Sequence, residues 1–478
     1  MKKNGLFKLI AGTLLLAMIL TFAIPGSSGE RNYLGIGTAV ISIAQTLSYF
    51  TDTIVLILLI GGFYGILNKT GAYKKLIDSI VTKYKDNKNF LVAVIIIFAL
   101  IASLTGISLP LFIFVPFVIS IILLMGYDKL VALASTIGAI LVGLLGGIFV
   151  TFVDFNSYTF SLITLEDLLD LEKYSNIFPK IFLLVIAVGL LVLYVFKHIK
   201  AVEEKKVKYE IKDDTDILIT EVKGSYKNIK VWPLITVFSV VILFLILGLT
   251  PWNSLFGLDI FNKFHDWILG IKIGDFSVFG NIISNTFPAL GNWLSIGNVG
   301  NQLMTINLLV VATIAIAIIY RVKLEDALNG FVEGMRKMVP TAAMMILALA
   351  VLVFAFNNGF MTSIVKWTVD LTGGFNVALS SILVIIGSFL HVDYFYTIVG
   401  VLSPLMEQIT DTAVNPVLAV MFQSLYYLTM LIAPTSVILV AALTYLNVPY
   451  KEWFKFIWRL ALELLIVIFV ILCILLII

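Results

Sequence analysis

Apolar runs recur along the whole chain, and many are long enough to cross a bilayer, which takes about 20 residues as a helix. Such runs lie near residues 6–24, 50–68, 130–150, 178–196, 231–249, 302–320, 340–356, 412–445 and 455–478. Two further stretches, near 90–125 and 376–406, each have two apolar arms around a polar tip. In the second, Val377–Phe389 and Phe395–Met406 flank His391-Val392-Asp393-Tyr394, and neither arm spans alone. These stretches predict re-entrant hairpins. The run 412–445 is long enough but is interrupted at Pro434-Thr435-Ser436. A hairpin tip or broken helix leaves backbone groups unpaired in lipid, which is tolerated only beside protein or a wet cavity. A hairpin followed by a broken helix is the pattern of a midplane substrate site in a secondary transporter. Residues 34–48 and 324–338 pattern as shorter amphipathic helices at the interface, each leading into a span.

Composition agrees. Sixty per cent of the 478 residues are apolar and 13% charged, against about 25% charged in a soluble domain. The expected fold class is an all-α polytopic membrane protein. A net charge of +3 points to no nucleic-acid partner, because the lysines sit in a few short loops. The single Cys473 lies in the last apolar run and reads as a packing residue, with no disulfide framework. Residues 1–29 (Lys2, Lys3, the apolar Leu9–Ile24, then Pro25-Gly26-Ser27-Ser28) read either as a signal peptide or as a retained first helix.

Lysine placement favours the retained helix. Lys2, Lys3 and Lys8 precede the first run, and Lys69, Lys74, Lys75, Lys83, Lys85 and Lys88 follow the second. Nine lysines and seven acids fall in 197–230; Arg321, Lys323, Arg336 and Lys337 follow 302–320; Lys451 and Lys455 precede the last run. All fall on one side if the spans alternate and both hairpins return to the side they left. That side is cytoplasmic by the positive-inside rule. The N-terminus is then inside a cytoplasmic membrane and the C-terminus outside, with the acidic loop 151–177 and residues 250–301 also outside.

The chain also repeats itself. At a spacing of 288 residues, Asn68-Lys69-Thr70-Gly71 meets Phe356-Asn357-Asn358-Gly359, and Pro116 meets Pro404. Ser135-Thr136 meets Gln423-Ser424, and Gly146-Gly147 meets Pro434-Thr435. The tip Ser103-Leu104-Thr105-Gly106 falls on His391-Val392-Asp393-Tyr394. Lysine placement opens the first hairpin inward and the second outward. Two transmembrane halves, 1–196 and 231–478, are therefore expected as inverted-topology repeats, joined by 197–230 as a charged, solvated cytoplasmic linker. Chance alignment of apolar sequence is the competing account; the shared breakers and tips weigh against it.

Several stretches resemble known carriers. They are Asp52-Thr53-Ile54-Val55-Leu56, Ile60-Gly61-Gly62-Phe63, Lys69-Thr70-Gly71-Ala72, Gly126-Tyr127-Asp128 and Phe331-Val332-Glu333-Gly334. The most specific block runs from Phe422-Gln423 through Ile432-Ala433-Pro434-Thr435-Ser436 to Val448-Pro449-Tyr450-Lys451. Over most of its length the chain is similar to the YfcC and anaerobic C4-dicarboxylate carrier (DcuC-like) families of the ion-transporter superfamily. The resemblance implies a cytoplasmic-membrane carrier of carboxylates or amino acids, with inverted halves, re-entrant hairpins and often a homodimer. The chain departs from the pattern at both tips. Leu109-Pro110 stands where relatives often carry acidic and small polar residues, and His391-Val392-Asp393-Tyr394-Phe395-Tyr396 where they are rich in Ser and Gly. Val153-Asp154-Phe155-Asn156 replaces an Asn-Pro pair. The scaffold transfers more safely than the substrate.

Helix N-termini carry partial positive charge and spare N–H donors, which suits carboxylate, whereas C-terminal ends and unwound carbonyls suit cations. The first half would contribute Ser103, Thr105, Gly106 and Ser108 at its tip, faced by Ser135, Thr136, Gly143, Gly146 and Gly147. The second half would contribute His391, Asp393, Tyr394, Tyr396, Gln423, Ser424, Thr435 and Ser436. The glycines read alternatively as a close helix-packing face.

His391 and Asp393 are the one close ionisable pair deep in an apolar hairpin, where a charge costs ~2.5–3.5 kcal/mol or more. As coupling residues, His391 would carry a proton, and Asp393 a proton, Na⁺ or a substrate ammonium. As the alternative, the tip reaches the outer surface and both are solvated. No Arg or Lys lies in either hairpin, so a dianion would be poorly neutralised. Asp393 with Tyr394, Tyr396, Tyr426 and Tyr427 leans toward a substrate bearing an amino group, although tyrosines near span ends also serve as interface anchors.

Other signals count for less. Ser284-Asn285-Thr286 resembles a sodium-site tripeptide of the wider superfamily but sits outside both hairpins. His198 and His265 lie in polar connections without ligand-spaced partners, and Arg459 and Glu463 are expected to pair on the last helix. No HExxH, GxSxG, phosphate-binding glycine loop or metal-ligand cluster is present. An enzyme is not expected, nor any cofactor beyond Na⁺ or H⁺ as a coupling ion. The expected function is secondary active transport of a small carboxylate-bearing metabolite, an amino acid ahead of a C4-dicarboxylate, by symport or exchange through alternating access. A channel would need a continuous pore lining, and a membrane scaffold would lack buried polar breaks.

Overall fold

The computed structural model describes residues 4–26, 29, 33–85, 87–153, 162–205, 228–250, 252–278, 297–409 and 411–477. Lipid offers the backbone no partner, so apolar runs close their hydrogen bonds within helices. Among the described residues seven helices are long and apolar enough to cross a membrane. The strands are two short ribbons; in one, β1 (Thr151–Val153) pairs antiparallel with β2 (Leu162–Thr164), setting Thr151 opposite Thr164. The chain is an all-α polytopic membrane protein.

The first half runs α1 (Asn4–Ala23), α2 (Ile36–Tyr49), α3 (Thr51–Thr70) and α4 (Ala72–Tyr84), then a hairpin of α5 (Asn89–Thr105) and α6 (Val115–Leu124). It ends with α7 (Lys129–Leu145) and α8 (Ile177–Glu203). α9 (Trp232–Leu249), α10 (Gly297–Ile319), α11 (Leu324–Asn358) and α12 (Phe360–Thr372) follow. A second hairpin follows, α13 (Val377–His391) and α14 (394–408), then the broken helix α15 (Asn415–Ile432) and α16 (Val437–Tyr445), and finally α17 (Tyr450–Leu475).

The 288-residue spacing reappears in the elements. α2 begins at Ile36 and α11 at Leu324; α3 ends at Thr70 and α11 at Asn358. α4 spans 72–84 and α12 spans 360–372, and the hairpins begin at Asn89 and Val377. Gly71 and Gly359, at φ 67° and 71°, make the same left-handed turn in each half. A side chain there would be strained, which is why both positions are glycine.

Two expected boundaries move. The amphipathic stretch 324–338 and the span 340–356 form one 35-residue helix through Pro340. Proline's fixed φ fits a helix, and Pro340 lies on an exposed face of this one, one turn after Arg336 and Lys337. In the first half, Phe50 at φ −120° and ψ 27° separates α2 from α3. The run expected over 130–150 stops at Leu145, short of a span, because Gly146 leaves the helical conformation.

The two halves meet most closely where α3 crosses α11. Gly61 and Gly65 lie directly on Gly330 and Gly334: a Cβ on Gly65 would overlap the Gly330 carbonyl oxygen, and one on Gly334 the carbonyl oxygen of Gly61. Glycines let the two backbones touch, the packing that replaces the hydrophobic effect between helices in lipid. Lys69 and Glu333 pair across the same crossing at 3.3 Å, but both are exposed and add little.

Two expectations about charged residues are corrected. His198 lies on α8, and its Nε2 sits 2.6 Å from Oδ2 of Asp128, whose Oδ1 accepts from Val131 N and caps α7. Glu463 accepts from the Tyr194 hydroxyl at 2.5 Å, and Arg459 lies against the Trp458 ring. Arg459–Glu463 is not among the ion pairs of the described residues, because Tyr194 of α8 reaches the carboxylate from the neighbouring helix. Residues 284–286, residues 154–156 and the His265 side chain lie outside what is described.

Candidate functional site

The two hairpin tips, the α15–α16 break and the α2–α3 corner enclose a cavity of about 560 Å³. Ligand pockets for small metabolites span roughly 300–1,000 Å³. At the first tip α5 ends because Gly106 turns left-handed at φ 70°, its N–H donating to Ala102 O at 2.8 Å. The Thr105 hydroxyl accepts from Ile107 N at 3.3 Å, and Pro110 then starts a short turn, Leu109–Ile113.

At the second tip the left-handed residue is Val392, φ 46°, an uncommon conformation for a β-branched side chain. Surrounding bonds hold it there. The Tyr426 hydroxyl donates to Val392 O at 3.1 Å, and Asp393 Oδ1 accepts from Tyr396 N at 3.2 Å, capping the start of α14. The Thr397 hydroxyl donates to Asp393 O at 2.7 Å. Tyr394 stacks on Tyr427 at 5.4 Å and meets Tyr426 edge-on at 5.0 Å, forming an aromatic wall.

The break between α15 and α16 closes a third side. Pro434 cannot continue the helix, and the Thr435 hydroxyl donates to Phe389 O at 2.8 Å, tying the break to the hairpin. Ser436 then faces the cavity. Tyr49, Phe50, Asp52 and Thr53, from the α2–α3 corner, form the fourth.

Of the residues expected at the site, Thr105, Gly106, Ser108, Asp393, Tyr394 and Ser436 line this cavity, with Tyr396, Tyr426 and Tyr427. The others sit behind its walls. The Ser103 hydroxyl lies 3.4 Å from Gly146 O, and Ser103 O accepts from Ile148 N and Phe149 N. Gly143 packs on the Ala99 backbone and Gly146 on Leu184, which is the close-packing reading of those glycines. Thr136 and Ser424 return their hydroxyls to their own helices, on Ala132 O and Val420 O, and Ser135 is wholly buried. His391 is 1% exposed, pressed against Gly400 and Phe356, and neither ring nitrogen has a hydrogen-bond partner among the described residues.

Gln423 joins the halves. Its side-chain amide donates to Gly147 O at 2.7 Å, just past the end of α7, and to Leu144 O at 3.2 Å, which also accepts from Gly147 N at 2.9 Å. Replacing Gln423 by leucine strands the buried Gly147 carbonyl, at about 1–3 kcal/mol. Thermal unfolding of the detergent-solubilised protein should show a lower midpoint; an unchanged midpoint would mean that the tie adds nothing.

Asp52, Thr53, Tyr49 and Phe50 were not expected at the site. An acid in the first turn of an apolar helix was the available signal. Among the described residues no lysine or arginine lines the cavity.

Residues 3–478 match the family described as C4-dicarboxylate anaerobic carrier, DcuC. The chain belongs to that family. This DcuC-family protein is a multi-pass membrane protein. An uncharacterized protein of Haemophilus influenzae is 28% identical over 116 residues, which span 24% of this chain and 23% of that protein. The YdaH transporter of Alcanivorax borkumensis, whose crystal structure is described as having an unusual topology, aligns over 97% of this chain and 96% of its own. That alignment has a TM-score of 0.39 and 14% identity.

Proposed function

We propose that the protein is a secondary active carrier of the cytoplasmic membrane that binds a small carboxylate-bearing metabolite in the cavity between its hairpin tips. The observation that carries this reading is the cavity itself, walled by both tips and a helix break in a carrier family. Amino acids are favoured over C4-dicarboxylates. Asp393 offers a carboxylate to an ammonium group, the tyrosine wall offers cation–π faces, and among the described residues no lysine or arginine on the lining would neutralise a dianion.

Transport would proceed by alternating access, with the halves 1–196 and 231–478 inverted about the membrane plane and 197–230 linking them on the cytoplasmic side, N-terminus inside. The matched element boundaries support this arrangement. Asp393 on the cavity wall and His391 behind it are the candidates for H⁺ or Na⁺ coupling. A homodimer is consistent with the family resemblance.

Counterflow in proteoliposomes tests the reading. Saturable uptake of a labelled amino acid, driven by the same unlabelled compound inside, is the expected result. Uptake that does not saturate would indicate a channel. Silence across amino acids and dicarboxylates, in protein shown to be folded, would leave a scaffold.

A further inference from the structure

An apolar surface lies outside the spans, between α9 and α10. It starts at a five-residue helix, Trp252–Phe256, clamped against the end of α9. The Trp252 indole donates to Leu247 O at 2.8 Å, and the Phe256 ring meets that of Phe149 edge-on at 5.1 Å. The Tyr174 hydroxyl donates to Leu255 O. Tyr174 stands just before α8 and Leu247 in the last turn of α9, so the clamp sits where these two spans leave the bilayer. From it the chain enters a helix, Ile260–Leu269, and a two-stranded ribbon in which Ile273 pairs with Phe276. Ile260, Phe264 and Trp267 share one face of the helix, at i, i+4 and i+7. Asp266 falls on the other side. Cross-strand partners point the same way, which puts Ile273 and Phe276 on one face of the ribbon. With Leu258, these side chains are between 44% and 73% exposed. Clustered exposed apolar side chains mark an interaction surface.

We infer that residues 258–277 are an interfacial anchor, lying on the outer leaflet with Phe264, Trp267, Ile273 and Phe276 at the boundary between headgroups and acyl chains. Three observations favour a lipid surface over a protein partner. The clamp fixes the start of the segment at the bilayer edge, beside the exposed Phe178 in the first turn of α8, so its apolar side chains continue the lipid-facing belt. Aromatic rings beside charged groups are the chemistry of the headgroup level. The charges are nearly balanced, two lysines (Lys263 and Lys272) against three aspartates (Asp259, Asp266 and Asp275), with Lys263 3.7 Å from Asp259. No block of one sign is present to select a charged partner. The outer leaflet follows from the lysine placement, which sets 250–301 outside. Leu249, at the end of α9, lines the hairpin cavity, so the anchor holds the connection between the halves beside it.

The test is nitroxide accessibility in the full chain, reconstituted in phosphatidylcholine vesicles on a Cys473→Ser background. Labels are placed singly by Phe264→Cys, Trp267→Cys, Ile273→Cys and Asp266→Cys. All four positions are exposed, so the fold should tolerate them, and the three apolar positions report independently. At those three, oxygen should reach the label and a water-soluble nickel chelate should not, at a depth of about 5–10 Å into the headgroup boundary. Asp266→Cys should be reached by nickel. Nickel access at the apolar positions equal to that at Asp266 would show a surface in water and overturn the inference. Shielding of those positions from both oxygen and nickel would show cover by protein, from this chain or a second copy, and would overturn it as well.

Discussion

Lys180→Met is expected to destabilise the protein by about 3–5 kcal/mol, the cost of leaving one member of a buried ion pair alone. Lys180 Nζ lies 2.7 Å from Glu166 Oε1, and the side chains are 4% and 7% exposed. The pair is held from both sides. Glu166 sits in a single helical turn, Leu165–Leu168, whose Thr164–Asp167 capping box fixes the entry from β2, and Lys180 lies in the first turn of α8. Without the ammonium, Glu166 is a buried carboxylate that has lost its 2.7 Å partner. The double variant Lys180→Met, Glu166→Leu should recover most of the loss, since apolar replacement of a whole buried pair is often neutral or stabilising. Unfolding midpoints of the three proteins in detergent would check this. A single variant as stable as the wild type would show that water reaches the pair.

Gly65→Val is expected to cost about 3 kcal/mol, the upper range for overpacking a well-filled contact. The Cβ at that position would fall on the Gly330 carbonyl, backbone that cannot rotate away. α3 and α11 would have to separate, and with them the packed face between the halves. Gly189→Val on α8 is the control, because a Cβ there meets nothing. It should stay within about 0.5 kcal/mol of wild type. Equal midpoints for the two variants would contradict the packing.

Much of this architecture was legible in the sequence because lipid imposes one rule on every segment. Apolar length marks helices, and Gly106, Gly146 and Pro434 mark their ends with local backbone chemistry. The hairpin tips were placed for the same reason. What each tip side chain faces was not legible. Within a turn the direction of a side chain depends on what packs behind it: one residue separates His391 from Asp393, yet one is enclosed against Gly400 and the other lines the cavity. Asp52 was missed because it lies 341 residues from Asp393 in sequence, and only the packing of α3 against α11 brings the corner to the tip. Glu166 of the Lys180–Glu166 pair was hidden in a loop whose acidity reads as solvated. The boundary expected between 324–338 and 340–356 is absent, because α11 runs on unbroken through Pro340.

The central claim is that Asp393, on the wall of the hairpin cavity, receives the substrate. The most direct measurement compares counterflow of labelled amino acids and C4-dicarboxylates by wild type and Asp393→Asn in proteoliposomes. Asparagine can keep the cap on Tyr396 N, so the fold should hold while the charge is lost. The predicted result is amino-acid uptake by the wild type that the variant loses by roughly 10- to 100-fold. Dicarboxylate uptake carried equally well by both proteins would contradict the account, returning Asp393 to a purely structural tip and moving the site toward the helix breaks.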